Sequence, residues 1–389
     1  KNIDAGAKGS RPHMLGMKFF EMMDPKDRIH WDPKNQDKID RMGGRLYGVL
    51  QRALNEYPDF VSWYEERVQM SVDIFEELDP DIKKPEDNFV FKTLLAVTSN
   101  GNKVEAQTED SWAIYQNWKK TGKFAPAETK NPDTGNNWVR GTRTSAITNQ
   151  LKLMDGLVSK YTWERMQKFL ARSGTVKELK EALVSELEFT KQDAGDLLKG
   201  ELIDETVPFA LIFGPKLGSF YHNLNGKFDS ITMDLWFMRT FGRTAGTQMD
   251  VIPPAQKRKT NKRFDDAVAA YLTKDPKGEL FKLAKLGRKR KRSIEVVMAL
   301  KKHYTSPANR SKYYDEKTKS WVTLKKGEKM EKISPLDNEL RKATNQLEKI
   351  IDGHELVEAP KNGSHRRFMR LSMYNAMDKL EQNHGIKMI

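Results

Sequence analysis

Apolar residues recur at intervals of three and four along most of this chain, the spacing that one face of an α-helix presents. Between Asp37 and Tyr57 the pattern runs through Ile39, Met42, Leu46, Val49, Leu50 and Leu54 and predicts an amphipathic helix. Pro58 opens a second, DFVSWYEERVQMSVDIFEEL, in which Phe60, Trp63, Val68, Met70, Val72 and Phe75 read as core. Aromatic and Met residues at this spacing are a buried stripe far more often than a ligand box. The stretch NFVFKTLLAVTSNG, Asn88 to Gly101, predicts a buried helix stopped by Asn100-Gly101. A helix over Glu105–Thr121, carrying Trp112, Ile114, Tyr115 and Trp118, ends at Gly122.

Residues 123–142 are rich in Pro, Gly and Asn and predict a loop. Within it Trp138 and Arg140 either meet a base and a phosphate or pin the loop to the surface, and the second reading is favoured. Three helices are expected from Thr144 to Leu198, one of them announced by a capping box at Thr175 and Glu178. After Gly246 the composition shifts: VIPPAQKRKTNKRF and KLGRKRKRS are dense in Lys and Arg, with one or two short helices between them. KYYDEKTKSWVTLKKGEK alternates about Lys317-Thr318 as a small hairpin does. Helices follow from Leu336 to Gly353 and over the last segment, where Arg366, Arg367 and Arg370 cluster near the start. Residues 1–35 have little pattern and read as an extended arm, the trimmed edge of a longer polypeptide. No period of 20–50 residues repeats, so the chain is no solenoid. The segmentation expected is 1–85, an arm and helical extension; 86–250, a core; 251–330, a basic segment with a small hairpin; and 331–389, C-terminal helices packing on the core.

Composition narrows the partners. The 389 residues carry a formal charge of +14 and a pI near 9.5, which favours a polyanion, most simply nucleic acid. Such a basic run either lies along a phosphate backbone, releasing counterions, or is a solvated face; its nearness in sequence to the segment described next favours phosphate contact by Lys257, Arg258, Arg288 and Arg290. Zero cysteines exclude disulfides, thiolate zinc sites, iron–sulfur clusters and cysteine nucleophiles. No apolar run is long enough to span a bilayer and the chain does not open as a signal peptide does, so a soluble intracellular protein without membrane contact is expected. No Walker-type loop, no His spacing suited to a metal and no tight carboxylate cluster appears, so neither metal nor cofactor is expected. His222 either approaches the site below or, the favoured reading, is a structural histidine.

The stretch from Phe209 to Arg239, FALIFGPKLGSFYHNLNGKFDSITMDLWFMR, concentrates the chemistry. It reads as an apolar helix, a tight turn at Gly214-Pro215, a helix opening at Lys216, a loop at Asn225-Gly226 and a third helix starting near Asp234. A glycine turn feeding a helix N-terminus presents N–H groups and partial positive charge to a phosphate. Lys216 and Asp234, each at the start of a helix, suit a nucleophile and an acid/base partner. The plainer alternative is a surface lysine on a phosphate-binding turn and an aspartate N-cap.

Gly214-Pro215-Lys216, an apolar helix, then Thr232-Met233-Asp234 and Arg239 resemble the signature of the helix-hairpin-helix DNA base-excision glycosylases. The Lys-to-Asp spacing and the offset of Arg239 agree with that family. The run MDLWFMRTFGR is similar to a glycosylase-like domain of phage and mobile-element polyvalent proteins. Ile212 and Phe213 replace the first Gly-Val of the family hairpin, Gly218 stands where alanine is usual, and the iron–sulfur cysteines are missing. The resemblance implies an all-α, two-lobed helical fold with Lys216 as the Schiff-base lysine and Asp234 as the activating aspartate. Gly214, Pro215, Gly218, Ser219 and Arg239 would meet the DNA. Ser99 and Asn100 would face DNA or the flipped base, or else form a plain helix C-cap. It further implies a monomer acting on duplex DNA with a flipped base, in the cytoplasm of a bacterial host or packaged in a virion, as a piece of a larger phage polypeptide. The rivals on the same fold are a DNA-hypermodifying transferase and a DNA-binding or virion-packaged protein without catalysis.

Overall fold

The computed structural model describes residues 18–57, 70, 73–102, 104–128, 130–132, 134–140, 143–275, 277–286, 291–309, 311–315, 318, 320–325, 330, 334–350 and 353–386, the side chains of 104 and 105 excepted. The described chain is mostly helical, as the periodicity predicts, with short paired strands. It forms two compact units: Ile29–Ala245 with Glu358–Ile389, and Gly246–Val357 with the stretch ending at Arg28.

In the first unit, α1 (Gln36–Glu56) is capped by Asn35, whose side chain accepts from the Lys38 amide, and buries Ile39, Met42, Gly43, Leu46 and Leu50. Of the helix expected after Pro58, residues 58–69, 71 and 72, with Phe60, Trp63, Val68 and Val72, lie outside the described residues. Phe75 is buried as expected, whereas Met70 is half exposed. The unit's centre is α2 (Pro85–Thr98), with Pro85 preset for the first turn and Glu86 and Asp87 complementing the helix dipole. Phe89, Val90, Phe91, Leu94, Leu95, Ala96 and Val97 are all buried, because α3 (Val104–Thr121), α4 (Thr144–Tyr161), α5 (Trp163–Leu170) and α8 (Pro215–Leu224) pack around it.

Four helices, not three, lie between Thr144 and Leu198: α4, α5, α6 (Val176–Ser185) and α7 (Lys191–Leu197). The capping box starts α6, with the Glu178 amide donating to Thr175 Oγ1 at 3.1 Å and the Thr175 amide to Glu178 Oε2 at 2.6 Å. Just before it, β1 (Ser173–Thr175) pairs antiparallel with β2 (Thr206–Pro208); three residues are too few for an alternation to show in sequence. The 123–142 loop is pinned inward: Trp138 is buried, and Arg140 grips the buried Asp110 through Nε at 2.6 Å and its backbone amide at 2.9 Å. After α9 (Leu235–Ala245) the chain leaves this unit.

The second unit contains α10 (Pro254–Lys274), α11 (Glu279–Leu283), α12 (Ile294–Thr305) and α13 (Pro335–Glu348). Strands β3 (Met249–Val251) and β6 (His354–Leu356) pair antiparallel, as do β4 (Lys312–Asp315) and β5 (Ser320–Thr323), the expected hairpin. The first basic run is the opening half of α10: Pro253 ends the preceding extended stretch and Pro254 starts the helix. Phe264, Val268 and Tyr271 turn inward against Val297, Leu300, Leu340 and Leu347. The 331–389 stretch is thus shared between the units, since α13 and β6 belong here and the final helix belongs to the other.

That helix, α14 (Gly363–His384), lies along α1. A Cβ at Gly43 would sit 2.1 Å from Asn375 Oδ1, so only glycine permits the approach. The arginine cluster near its start is neutralised: Arg366 pairs with Glu201, Arg367 with Asp204 and Glu205, and Arg370 with Glu205. His365 stacks on Trp31 with ring centroids 5.3 Å apart, and its Nδ1 accepts from the Lys361 amide. Burial, with Lys361 and Arg366 adding positive charge, pushes its pKa down to about 4. The folded state therefore holds a neutral ring where the unfolded chain protonates from about pH 6.5 downward. Stability present above pH 6.5 is lost as the pH falls toward 4, by on the order of 3 kcal/mol for this group. Urea midpoints for the wild type should drop over that window, and His365→Gln should flatten the drop by that amount; a variant with the same slope as the wild type rules the assignment out.

Candidate active site at the Gly214 turn

Phe209–Phe213 is a 3₁₀ turn rather than an α-helix, closed by Pro208 before it and Gly214 after it, with all five side chains buried. Gly214 has φ 99° and ψ 159°, a conformation that only glycine adopts readily. It ends that turn and starts α8, with Pro215 in the first helical position. No side chain caps α8, so the amides of Lys216 and Leu217 lack an intrahelical acceptor. The turn folds back on the helix so tightly that a Cβ at Gly218 would lie 2.6 Å from the backbone of Ala210 and Leu211.

Lys216 is half buried, and its Nζ donates to the Ser99 carbonyl oxygen at 3.0 Å. Ser99 is the C-cap of α2, so the ammonium meets the negative end of the central helix. Burial lowers the Lys216 pKa most; the Asp234 carboxylate pulls it up and the Arg143 guanidinium pushes it down. Asp234 is therefore its principal counter-charge, although no ion-pair contact joins the two.

The loop between them is built by Asn223, whose Nδ2 donates to the carbonyls of Lys227 and Ser230 at 3.0 and 3.1 Å. Thr232 Oγ1 donates to Asn223 Oδ1 at 2.6 Å, and Gly226 takes φ 72°. This closure returns the chain to Asp234, whose Oδ1 accepts from the Phe237 amide at 2.8 Å as the cap of α9. Its Oδ2 has no hydrogen-bond partner among the described residues. Both candidate residues thus stand at helix N-termini, where fixed dipoles favour anions and disfavour a lysine's charge.

The other predicted site residues divide. Ser219 is buried and donates back to the Pro215 carbonyl at 3.0 Å. Ser99 Oγ is spent on Ala96 O, leaving its own carbonyl for Lys216, and Asn100 is half buried beside it. Arg239 is buried and paired with Glu358 at 2.9 Å. His222 is fully buried, bonded through Nε2 to Leu170 O at 2.8 Å and held neutral by burial, as a structural histidine is. Lys257 and Arg258 are exposed on α10 in the other unit; Arg288 and Arg290 lie outside the described residues.

Two residues beside the site carry no motif. Arg143, just before α4, is exposed. Trp236, in the first turn of α9, is 48% exposed. The four apolar residues in a row at 235–238 were a usable signal for the latter, since one helix face cannot bury them all. Among the described residues no group of three His, Cys, Asp or Glu side chains is placed to hold a metal ion, and no helix is long and apolar enough to cross a membrane. No family model, curated protein or solved structure matches the chain.

Proposed function

We propose that this protein is a DNA base-excision glycosylase of the helix-hairpin-helix kind, with Lys216 as nucleophile and Asp234 as its acid/base partner. The supporting observation is the half-buried Lys216 amine, depressed in pKa by burial with the Asp234 carboxylate as its counter-charge. A lowered pKa raises the fraction of neutral amine, the form that attacks. Asp234, with Oδ2 uncommitted, takes the ammonium proton or stabilises positive charge developing on the sugar. The amine lone pair then forms a bond to C1′ of the flipped nucleotide as the C1′–base bond breaks. The base leaves with the bonding electrons and a proton. The amine nitrogen gives up its protons, one reaching the ring oxygen, as the sugar opens to a Schiff base. The uncapped amides of Lys216 and Leu217 suit a strand phosphate.

Borohydride trapping tests this. The protein is incubated with duplexes bearing abasic sites, common base lesions and phage-type modified pyrimidines. A covalent adduct is expected from the wild type and none from Lys216→Ala or Lys216→Gln, while Asp234→Asn slows its formation at least a hundredfold. Free base without an adduct leaves a monofunctional enzyme driven by Asp234. Neither adduct nor base, with salt-sensitive DNA binding intact, overturns excision. The Lys216–Ser99 hydrogen bond then becomes the residue's purpose, a tether between two helix ends in a non-catalytic DNA-binding protein.

A further inference from the structure

Among the described tryptophans Trp236 is the most exposed, at 48%, and Leu235 next to it is 38% exposed. The indole is nevertheless held in place. The Arg239 guanidinium sits 5.5 Å from its ring centroid, and Arg239 is itself buried and paired with Glu358 at 2.9 Å. A cation fixed against one face of an otherwise open ring leaves the opposite face for a partner and limits the motion that binding would have to freeze. The position is informative as well. Trp236 lies two residues past Asp234, whose charge reaches Lys216, and Lys216 also feels the Arg143 guanidinium. The Arg143 side chain makes no hydrogen bond or ion pair with any described residue. Lys216, in the first turn of the uncapped α8, thus lies within electrostatic reach of an uncommitted cation and of Asp234, two residues from an open aromatic face. An aromatic face beside positive charge suits an unstacked base and its phosphate better than a purely apolar partner or an acidic one with no ring to stack.

We infer that Trp236, propped by Arg239, is a stacking platform for an unstacked DNA base at the Lys216–Asp234 site, with Arg143 binding the phosphate of the same strand. This rests on the proposed action on DNA but not on catalysis. It gives the Arg239–Glu358 pair a positioning task instead of a phosphate contact.

Fluorescence anisotropy titrations over a range of salt concentrations test it, using a fully paired duplex and the same duplex with one bulged base. The wild type is expected to prefer the bulged duplex. Trp236→Ala should weaken bulged-duplex binding about tenfold, leaving the paired duplex and the salt slope alone, while Trp236→Phe retains most of the affinity. Arg143→Gln should weaken both duplexes and reduce the salt slope by about one. Equal affinity of Trp236→Ala and wild type for the bulged duplex overturns the inference, as does an equal loss on both duplexes or a wild type that binds neither. Wild-type borohydride trapping run in parallel separates the two readings. An adduct with no effect of Trp236→Ala removes the platform and keeps excision; a selective loss in Trp236→Ala with no adduct keeps the platform and removes excision.

Discussion

Asp337→Ala is expected to cost the 246–357 unit about 3–5 kcal/mol, because it strands a buried positive charge. Asp337 is fully buried. Its Oδ2 accepts from Ser334 Oγ at 2.5 Å and from the Tyr314 amide at 3.1 Å, and lies 3.5 Å from Lys274 Nζ. Lys274, almost as deep, donates also to Ser334 Oγ at 2.5 Å. Burial, reinforced by the Asp337 charge, drives the Tyr271 phenol far above its ordinary pKa, so that ring cannot serve as a substitute anion. Alanine removes an acceptor from two donors and leaves the ammonium without a counter-charge. Asp337→Asn keeps an acceptor for Tyr314 but not the charge, and should fall between alanine and wild type. Lys274→Met in the Asp337→Ala background should recover part of the loss, since an apolar replacement of a whole buried pair is often tolerated. Trp321 is the one tryptophan between residues 246 and 357 and packs on Tyr314, so its fluorescence in urea follows this unit. A loss below about 1 kcal/mol, the value of an exposed pair, would show that the pair is not buried as described.

Gly218→Ala should destabilise the other unit by about 2 kcal/mol, an unusual outcome for a change that improves helix propensity. The propensity gain is about 1 kcal/mol. Against it, the new Cβ would lie 2.6 Å from the carbonyl carbon and oxygen of Ala210 and the amide nitrogen of Leu211. These are backbone atoms that cannot swing aside, and overpacking of this kind costs about 3 kcal/mol. The 3₁₀ turn and α8 must move apart, carrying Lys216 away from Ser99. Thermal unfolding should show a lower Tm, and borohydride trapping a weaker adduct than the Tm alone explains. A Tm equal to or above wild type contradicts the close approach. Position 218 is where two backbones come too near for any side chain.

The long helices were legible because their periodicity is local. Ile39, Met42, Leu46 and Leu50 are buried as their spacing predicts, and Thr175 with Glu178 announced α6, which starts at the next residue, Val176. The Phe209 stretch read as an α-helix because five apolar residues between Pro208 and Gly214 carry no period that separates α from 3₁₀. The long-range ion pairs were not legible. Arg239 lies 119 residues from Glu358 and Arg366 lies 165 from Glu201, so nothing near any of these arginines shows that a carboxylate neutralises it. The electrostatic influence of Asp234 on Lys216 joins two residues only 18 apart, but the Ser99 carbonyl, a backbone atom 117 residues away, has no sequence signature.

The path of the chain has a consequence for synthesis. The first unit is interrupted after Ala245 and completed only by α14, which begins at Gly363. At ~5–20 residues per second, the ribosome takes about ten seconds to deliver that helix after α9 is made. Throughout that interval the α1 groove at Gly43 has no lid, and Glu201, Asp204 and Glu205 repel one another without their arginines. The nascent protein therefore waits with an apolar seam and an acidic patch both open, and the other unit is translated during the wait. A ribosome stalled before Gly363 should present a chain that chaperones and proteases recognise, and one released after His384 should not.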